Sequence, residues 1–255
     1  MRDARENLAW LHPRYWVVVL VLLIPSPSLA AVCEGVRPGA PITIGDKGCT
    51  MNFMFRDRSG HRYVGTAGHC VSSVEGVKVW PGATGEVARD GAGAEIGTVA
   101  YAAYRPSFPG KLDFALVRID PEITGIPSMC GWGGPRGINE GKPEGITELR
   151  WYGQGDVLGE ASPQRNGYAF GMPEDEFVFF NGPAITGDSG SAVIDAEGRA
   201  VGVFVTVGIH SWSSDPPHVA SNGHIGYAGL MRLTPQLQKA EIKLRTRLSL
   251  IEDRG

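Results

Sequence analysis

Three short stretches carry residue types that together suit nucleophilic acyl transfer. In GDSGS, residues 187–191, Ser189 lies between small residues, with glycines on both sides. Glycine there permits a sharp backbone path and leaves main-chain N–H groups free to face a reacting oxygen, so Gly187 and Ser189 are candidate oxyanion-binding amides. A Gly/Asp/Ser turn between two strands would have the same composition. A serine hydroxyl is a weak nucleophile at neutral pH and needs a base, and the base needs a partner that holds its tautomer. His69, in TAGHC, stands at the end of a run of small and β-branched residues and is the candidate base. Asp113 opens the apolar run DFALVRI and is the candidate acid. It is either a strand-end cap or a carboxylate held away from solvent. The other histidines, His12, His61, His210, His218 and His224, lack the small-residue strand-end setting of His69.

These residues need a scaffold of strands. The chain has 255 residues, 42% hydrophobic and 20% charged, and it carries 36 glycines and 18 prolines. That composition favours many short strands joined by turns. From residue 48, GCTMNFMFRD alternates, with Cys49, Met51, Phe53 and Phe55 on one face and Thr50, Asn52 and Arg56 on the other, the pattern of a half-buried strand. The turn DRSG returns the chain through HRYVGTA towards His69. VKVW, EIGTVAYAAY and DFALVRI complete a first β-unit over about residues 40–120. After a Gly/Pro-rich bridge, ELRWYG, NGYAFG, EFVFF, SAVID, AVGVFVTV and IGYAGLM form a second. The end of the chain changes period: Thr234 reads as an N-cap with Pro235 at the first helical position, and Leu237, Ala240, Leu244, Leu248 and Ile251 recur at helical spacing.

The first 30 residues read differently. Arg2, Arg5 and Arg14 precede an apolar run over residues 16–24, and Ser28 and Ala30 supply the small residues of a signal-peptidase site, so cleavage after Ala30 is expected. An uncleaved anchor is the alternative, but the run is about half of the roughly 20 apolar residues a spanning helix needs. The formal charge of −3 gives no indication of nucleic acid or an anionic membrane as a partner. Four cysteines, Cys33, Cys49, Cys70 and Cys130, remain after cleavage, and an even count in an exported chain favours two disulfides. Without a Cys-x-x-Cys pair or paired histidine spacing, a zinc site is not expected.

The order His69, Asp113, Ser189 separates this chain from the subtilisin and α/β-hydrolase arrangements. TAGHC, DFALV and GDSGSAV resemble the three signature regions of the chymotrypsin-like (trypsin-like) serine peptidases in their shorter bacterial form, and the likeness extends over essentially everything after residue 40. The resemblance implies an all-β fold of two packed six-stranded antiparallel barrels with a C-terminal helix. The first barrel, residues 31–125, would carry His69 and Asp113, and the second, residues 126–255, would carry Ser189. It also implies the disulfides Cys49–Cys70 and Cys33–Cys130, one of three possible connectivities. The specificity pocket would have Pro183 as its floor and walls from Ala184 to Thr186, from Val205 through Thr206 to Gly208, and from Gly226 to Ala228. No carboxylate stands at Pro183, so a preference for Arg or Lys is not implied. His210 or His224 would favour an acidic side chain if either reached the pocket, the alternative being an exposed loop histidine. The sequence PITIGDKGC replaces the Ile-Val-Gly-Gly start whose freed amine pairs with the aspartate before the nucleophile, so Asp188 should have another partner. The reading as a whole is a secreted, monomeric, cofactor-free serine endopeptidase acting on proteins or peptides. A catalytically silent binding protein on the same fold, and an esterase, are the competing readings.

Overall fold

Alternation of apolar and polar residues decides most of the structure, a computed structural model that describes residues 33–71, 74–106, 111–141, 146–155, 163–169, 176–208 and 227–255. The first sheet is built from β1 (Pro41–Ile44), β2 (Lys47–Thr50), β3 (Met54–Asp57), β4 (Arg62–Thr66), β5 (Gly76–Val79), β6 (Val87–Asp90), β7 (Glu95–Arg105) and β8 (Leu112–Ile119). The second comprises β9 (Thr147–Tyr152), β10 (Gln164–Ala169), β11 (Phe177–Asn181), β12 (Ala192–Asp195), β13 (Ala200–Gly208) and β14 (Tyr227–Arg232). Helix α1 (Leu233–Leu244) follows, and β15 (Leu248–Leu250) ends the set.

The second sheet is a closed antiparallel barrel in the order β10-β11-β14-β13-β12-β9. Its core is aromatic: the Trp151 ring lies 5.3 Å from Phe180 and 6.1 Å from Phe204, centroid to centroid. The first sheet runs β15-β3-β4-β8-β7-β6-β1-β2, with β5 also on β7. Strand β2, at one end of this order, and β3, next to the other end, are joined through residues 51–53. There Met51 N donates to Ala40 O at 2.8 Å and Asn52 N to Gly65 O at 2.7 Å. The bent segment from Lys47 to Asp57 thus bridges β1 and β4, and the sheet curves into a half-barrel. The chymotrypsin-like architecture is the expected one, with the second barrel closed, the first open, and a C-terminal helix. The strands β1, β6 and β15 are not among the strand candidates of the sequence, and Leu248 of β15 is read there as part of the helical repeat.

Two local expectations change. The segment after Gly48 is buried on both faces as far as Phe55: Thr50 and Asn52 are as buried as Met51 and Phe53. Thr50 is covered by the serine loop of the second barrel, whose Ser189 and Gly187 carbonyls it binds, and Asn52 lies over Gly65 of β4, contacts that alternation cannot report. The helix begins at Leu233 with Arg232 as its cap and stops at Leu244, where Arg245 takes the left-handed conformation. Thr234 is not its N-cap. Leu248 belongs to β15, whose residues pair with Phe55, Arg56 and Asp57 of β3, and Ile251 N donates to Met54 O at 2.9 Å. The edge of β3 offers unpaired backbone groups that capture the tail of the chain, and this overrides the helical spacing. Leu237 and Ala240 do face the core.

Candidate active site

His69 is held by its own loop. TAGHC leaves the end of β4 and makes a single 3-10 turn over Gly68–Cys70, closed by Cys70 N to Ala67 O at 3.2 Å. A Cβ on Gly68 would lie 2.9 Å from Phe114 N, so only glycine lets this turn rest directly on β8 beside Asp113. Asp113 is 2% exposed. Its carboxylate accepts from the His69 amide at 2.9 Å and faces His69 Nδ1 at 2.9 and 3.1 Å. One carboxylate therefore fixes both the backbone and the ring of His69, and among the described residues Nε2 has no hydrogen-bond partner. Lys47 Nζ donates to His69 O at 2.7 Å, and the Tyr104 ring lies 6.0 Å from the imidazole. Burial, and secondarily the Asp113 charge, push the Tyr104 hydroxyl pKa upward. On the Lys111 ammonium burial acts downward and outweighs Asp113.

The disulfide Cys49–Cys70 spans a Cα separation of 6.3 Å and ties β2 to the residue after His69; Cys33–Cys130 is the other, at 5.8 Å. Both pairings match the expectation. The two sulfurs of Cys49–Cys70 and a ring nitrogen of His69 lie within 4.8 Å of one another. Sulfur bonded to sulfur is not the thiolate that a metal needs.

The loop bearing Ser189 can be followed hydrogen bond by hydrogen bond. Asp188 N donates to Ile185 O at 3.1 Å, Ser191 N to Asp188 O at 3.0 Å, and Gly190 N to Phe204 O at 2.7 Å. Thr50 holds two of its carbonyls: Thr50 N donates to Ser189 O at 2.8 Å, and Thr50 Oγ1 to Gly187 O at 2.8 Å. Among the described residues the amides left without an acceptor between positions 187 and 191 are those of Gly187 and Ser189. These are the two amides singled out from the sequence. Gly190 has φ +92°, and a Cβ there would come 3.0 Å from Ala67 N, so the serine loop lies against the strand end that delivers His69. Ser189 itself is half-buried.

Asp188 has its other partner: the buried guanidinium of Arg165, on β10, pairs with Oδ2. Ile185 N at 3.0 Å and Gly155 N at 3.1 Å complete its shell. Burial drives the Asp188 pKa up against the opposing pull of Arg165 and the two amides. Of the expected pocket residues, Pro183 and Thr186 are exposed and Ala184 is buried on the approach to Gly187. Val205, 5% exposed, follows Phe204, whose amide donates to Ser191 O at 2.9 Å. Thr206 and Gly208 lie on β13 opposite Gly229 and Tyr227. Gly226, His210, His218 and His224 lie outside the described residues. Thr50, Lys47, Tyr104 and Arg165 were missed as site residues. Of these only Thr50, next to the cysteine that braces His69, carried a sequence signal.

Two packed antiparallel barrels, with a histidine-aspartate pair on one and a glycine-flanked serine on the other, define the chymotrypsin class of fold. A sequence profile of the trypsin-like peptidase domain matches residues 53–203. The chain belongs to this family and is a serine-type peptidase. Among solved structures it is similar to Thermobifida fusca Protease A, with 21% identity and a TM-score of 0.55 over 86% of this chain and 99% of that one. It is also similar to a Cellulomonas bogoriensis chymotrypsin, with 22% identity and a TM-score of 0.52 over 85% and 98%. A glutamic acid-specific serine protease that uses a histidine triad in substrate binding aligns with 18% identity and a TM-score of 0.55 over 85% and 100%. At these identities the likeness is one of fold. No curated protein sequence matches.

Proposed function

We propose that the chain is a secreted endopeptidase that cleaves peptide bonds through Ser189, His69 and Asp113 by way of an acyl-enzyme. The observation that carries this reading is the pair of open amides, Gly187 and Ser189, on a loop whose other amides from 188 to 191 are engaged, set against the strand end that holds a carboxylate-bound His69. Ser189 Oγ attacks the scissile carbonyl carbon and His69 Nε2 takes the proton. The oxyanion develops between the two amides, each worth about 3 kcal/mol to the transition state. His69 returns the proton to the departing amine, and a water, deprotonated by His69, then cleaves the ester to free the acid and Ser189. Asp113 keeps the proton of the neutral imidazole on Nδ1 and stabilises the imidazolium.

Residues 1–30 act as a leader removed after Ala30, and the two disulfides suit an oxidising compartment. Among the described residues no helix is long and apolar enough to cross a membrane. In this reading residues 31–125 and 126–255 form the two halves of a monomer, with β15 from the end of the second half added to the sheet of the first. The buried Arg165–Asp188 pair does the work of a freed N-terminal amine, so the chain folds directly into its active form. Pro183, Ala184 and Val205 suit a small or apolar side chain before the cut, or an acidic one if His210 or His224 reaches it.

The test is digestion of a mixed peptide library by the purified chain beside Ser189→Ala, with cut sites read by mass spectrometry and a fluorophosphonate probe applied to both. Cleavage and labelling confined to the wild type are expected. An inert, unlabelled wild type would favour the silent binding protein. N-terminal sequencing of the exported product should begin at Ala31.

A further inference from the structure

A groove of about 680 Å³ lies between the end of α1 and the first barrel, away from the triad. Arg118 on its wall and Asp113 occupy the same strand, β8, five residues apart, which places them about 17 Å from each other at ~3.3 Å per residue. The groove's volume falls within the roughly 300–1,000 Å³ of ligand clefts.

Charge and shape both mark it. Arg118, Lys243 and Arg245 line it, and among the described residues none of the three forms an ion pair with a carboxylate. Among the described residues the one carboxylate on the lining is Asp57, and its oxygens are already taken. Oδ1 accepts from the amides of Ser59 and His61, and Oδ2 faces His61 Nδ1 and accepts from the Tyr63 hydroxyl. The whole chain carries a formal charge of −3, so this cationic groove is a local feature. Trp80, Pro81 and Leu244 add an apolar wall. The two non-glycine residues with positive φ among the described residues, Ala83 and Arg245, both at +56°, line this same groove. Arg245 occupies the position just past a helix where glycine is ordinarily preferred. Backbone strain of this kind concentrates at binding sites, and here it sets an arginine at the mouth of the groove.

We propose that this groove is a second binding site, for an acidic peptide segment carrying an aromatic or leucine side chain. The carboxylates would meet Arg118, Lys243 and Arg245 while the apolar side chain packs on Trp80. The concave apolar wall distinguishes this from an open cationic strip suited to a sulfated polysaccharide. The site is independent of the peptidase chemistry, so the test removes that chemistry. A fluorescent dodecapeptide of Asp and Glu with one central Phe is titrated into the Ser189→Ala protein. Saturable binding that weakens with salt is expected, since exposed charges are screened. Arg245→Gly deletes a cation while supplying the residue its backbone favours; it should bind about fivefold more weakly, the effect of one modest ion pair, with an unchanged or raised melting temperature. Lys243→Glu should weaken binding at least as much. The proposal is overturned by absent saturable binding, by affinity indifferent to both substitutions, or by equal binding of a Lys-rich counterpart or a sulfated oligosaccharide.

Discussion

Thr50 sits at the junction of everything that the site requires. It is fully buried, its amide and its hydroxyl hold the carbonyls of Ser189 and Gly187, and Thr66 Oγ1 donates to its own carbonyl at 2.9 Å. Thr50→Val keeps the shape but leaves the Gly187 carbonyl without its donor, at a cost of about 1–3 kcal/mol if the loop stays in place. If the hydroxyl orients the oxyanion amides, kcat should fall about tenfold, the kinetic equivalent of ~1.4 kcal/mol, with KM little changed. Thr50→Ser should restore the rate. A variant that loses stability and not kcat would show that the hydroxyl only packs. Arg165 is the other decisive residue. Replacing it with Met strands a buried carboxylate, and urea unfolding should report a loss of about 3–5 kcal/mol. Asp188→Asn in the same chain should recover much of that.

The β3–β4 hairpin shows how an element secures itself. Asp57 caps the turn, with Gly60 N donating to its carbonyl at 3.1 Å and four groups meeting its carboxylate. Burial tends to raise the Asp57 pKa, but the hydrogen bonds from His61 and Tyr63 outweigh it and hold the carboxyl below its ordinary 3.8. Burial and the same bond push the Tyr63 hydroxyl up to about 12. A depressed carboxylate stabilises the fold above its unfolded pKa, and that stability is lost as pH falls through the folded value. Wild type should therefore be more stable than Asp57→Asn near pH 7, and the gap in melting temperature should close as pH falls below about 4. A gap that stays constant down to pH 2 would contradict this. The helix ends for a comparable local reason: Glu241 accepts from Thr246 N through its carbonyl at 3.2 Å and from Leu248 N through Oε1 at 2.8 Å, turning the chain into β15.

At the scale of the whole molecule, one apolar core runs from Phe53, Phe55 and Phe114 of the first barrel to Ala192 and Met231 of the second and Leu237 of the helix, so the two barrels share packing. The disulfides act on the unfolded chain. Cys49–Cys70 closes a separation of 21 residues and Cys33–Cys130 one of 97. Chain entropy assigns about 3 kcal/mol to the first and between 4 and 5 kcal/mol, roughly, to the second. Paired Cys→Ser variants should lower the melting temperature in that order. The Cys49–Cys70 pair should also lower activity near its own melting point more than the other, because it braces the His69 loop.

By itself the sequence determined two groups of short strands, the order His69, Asp113, Ser189 and the candidacy of the Gly187 and Ser189 amides, because alternation, turn residues and glycine-flanked motifs are local signals; the closing of the strands into barrels was legible only through family likeness. The disulfide pairing was legible only through family likeness, since four cysteines permit three pairings. Local pattern could not reveal that Thr50, on the face that alternation turns outward, is buried by the other barrel, nor that Arg165 meets Asp188 from a distant strand. It also misread the tail, where sheet pairing with β3 prevailed over helical spacing. Each of these depends on contacts between residues far apart in the chain: the seam between the barrels for Thr50, the folding of the serine loop onto β10 for Arg165, and the open edge of β3 for the tail.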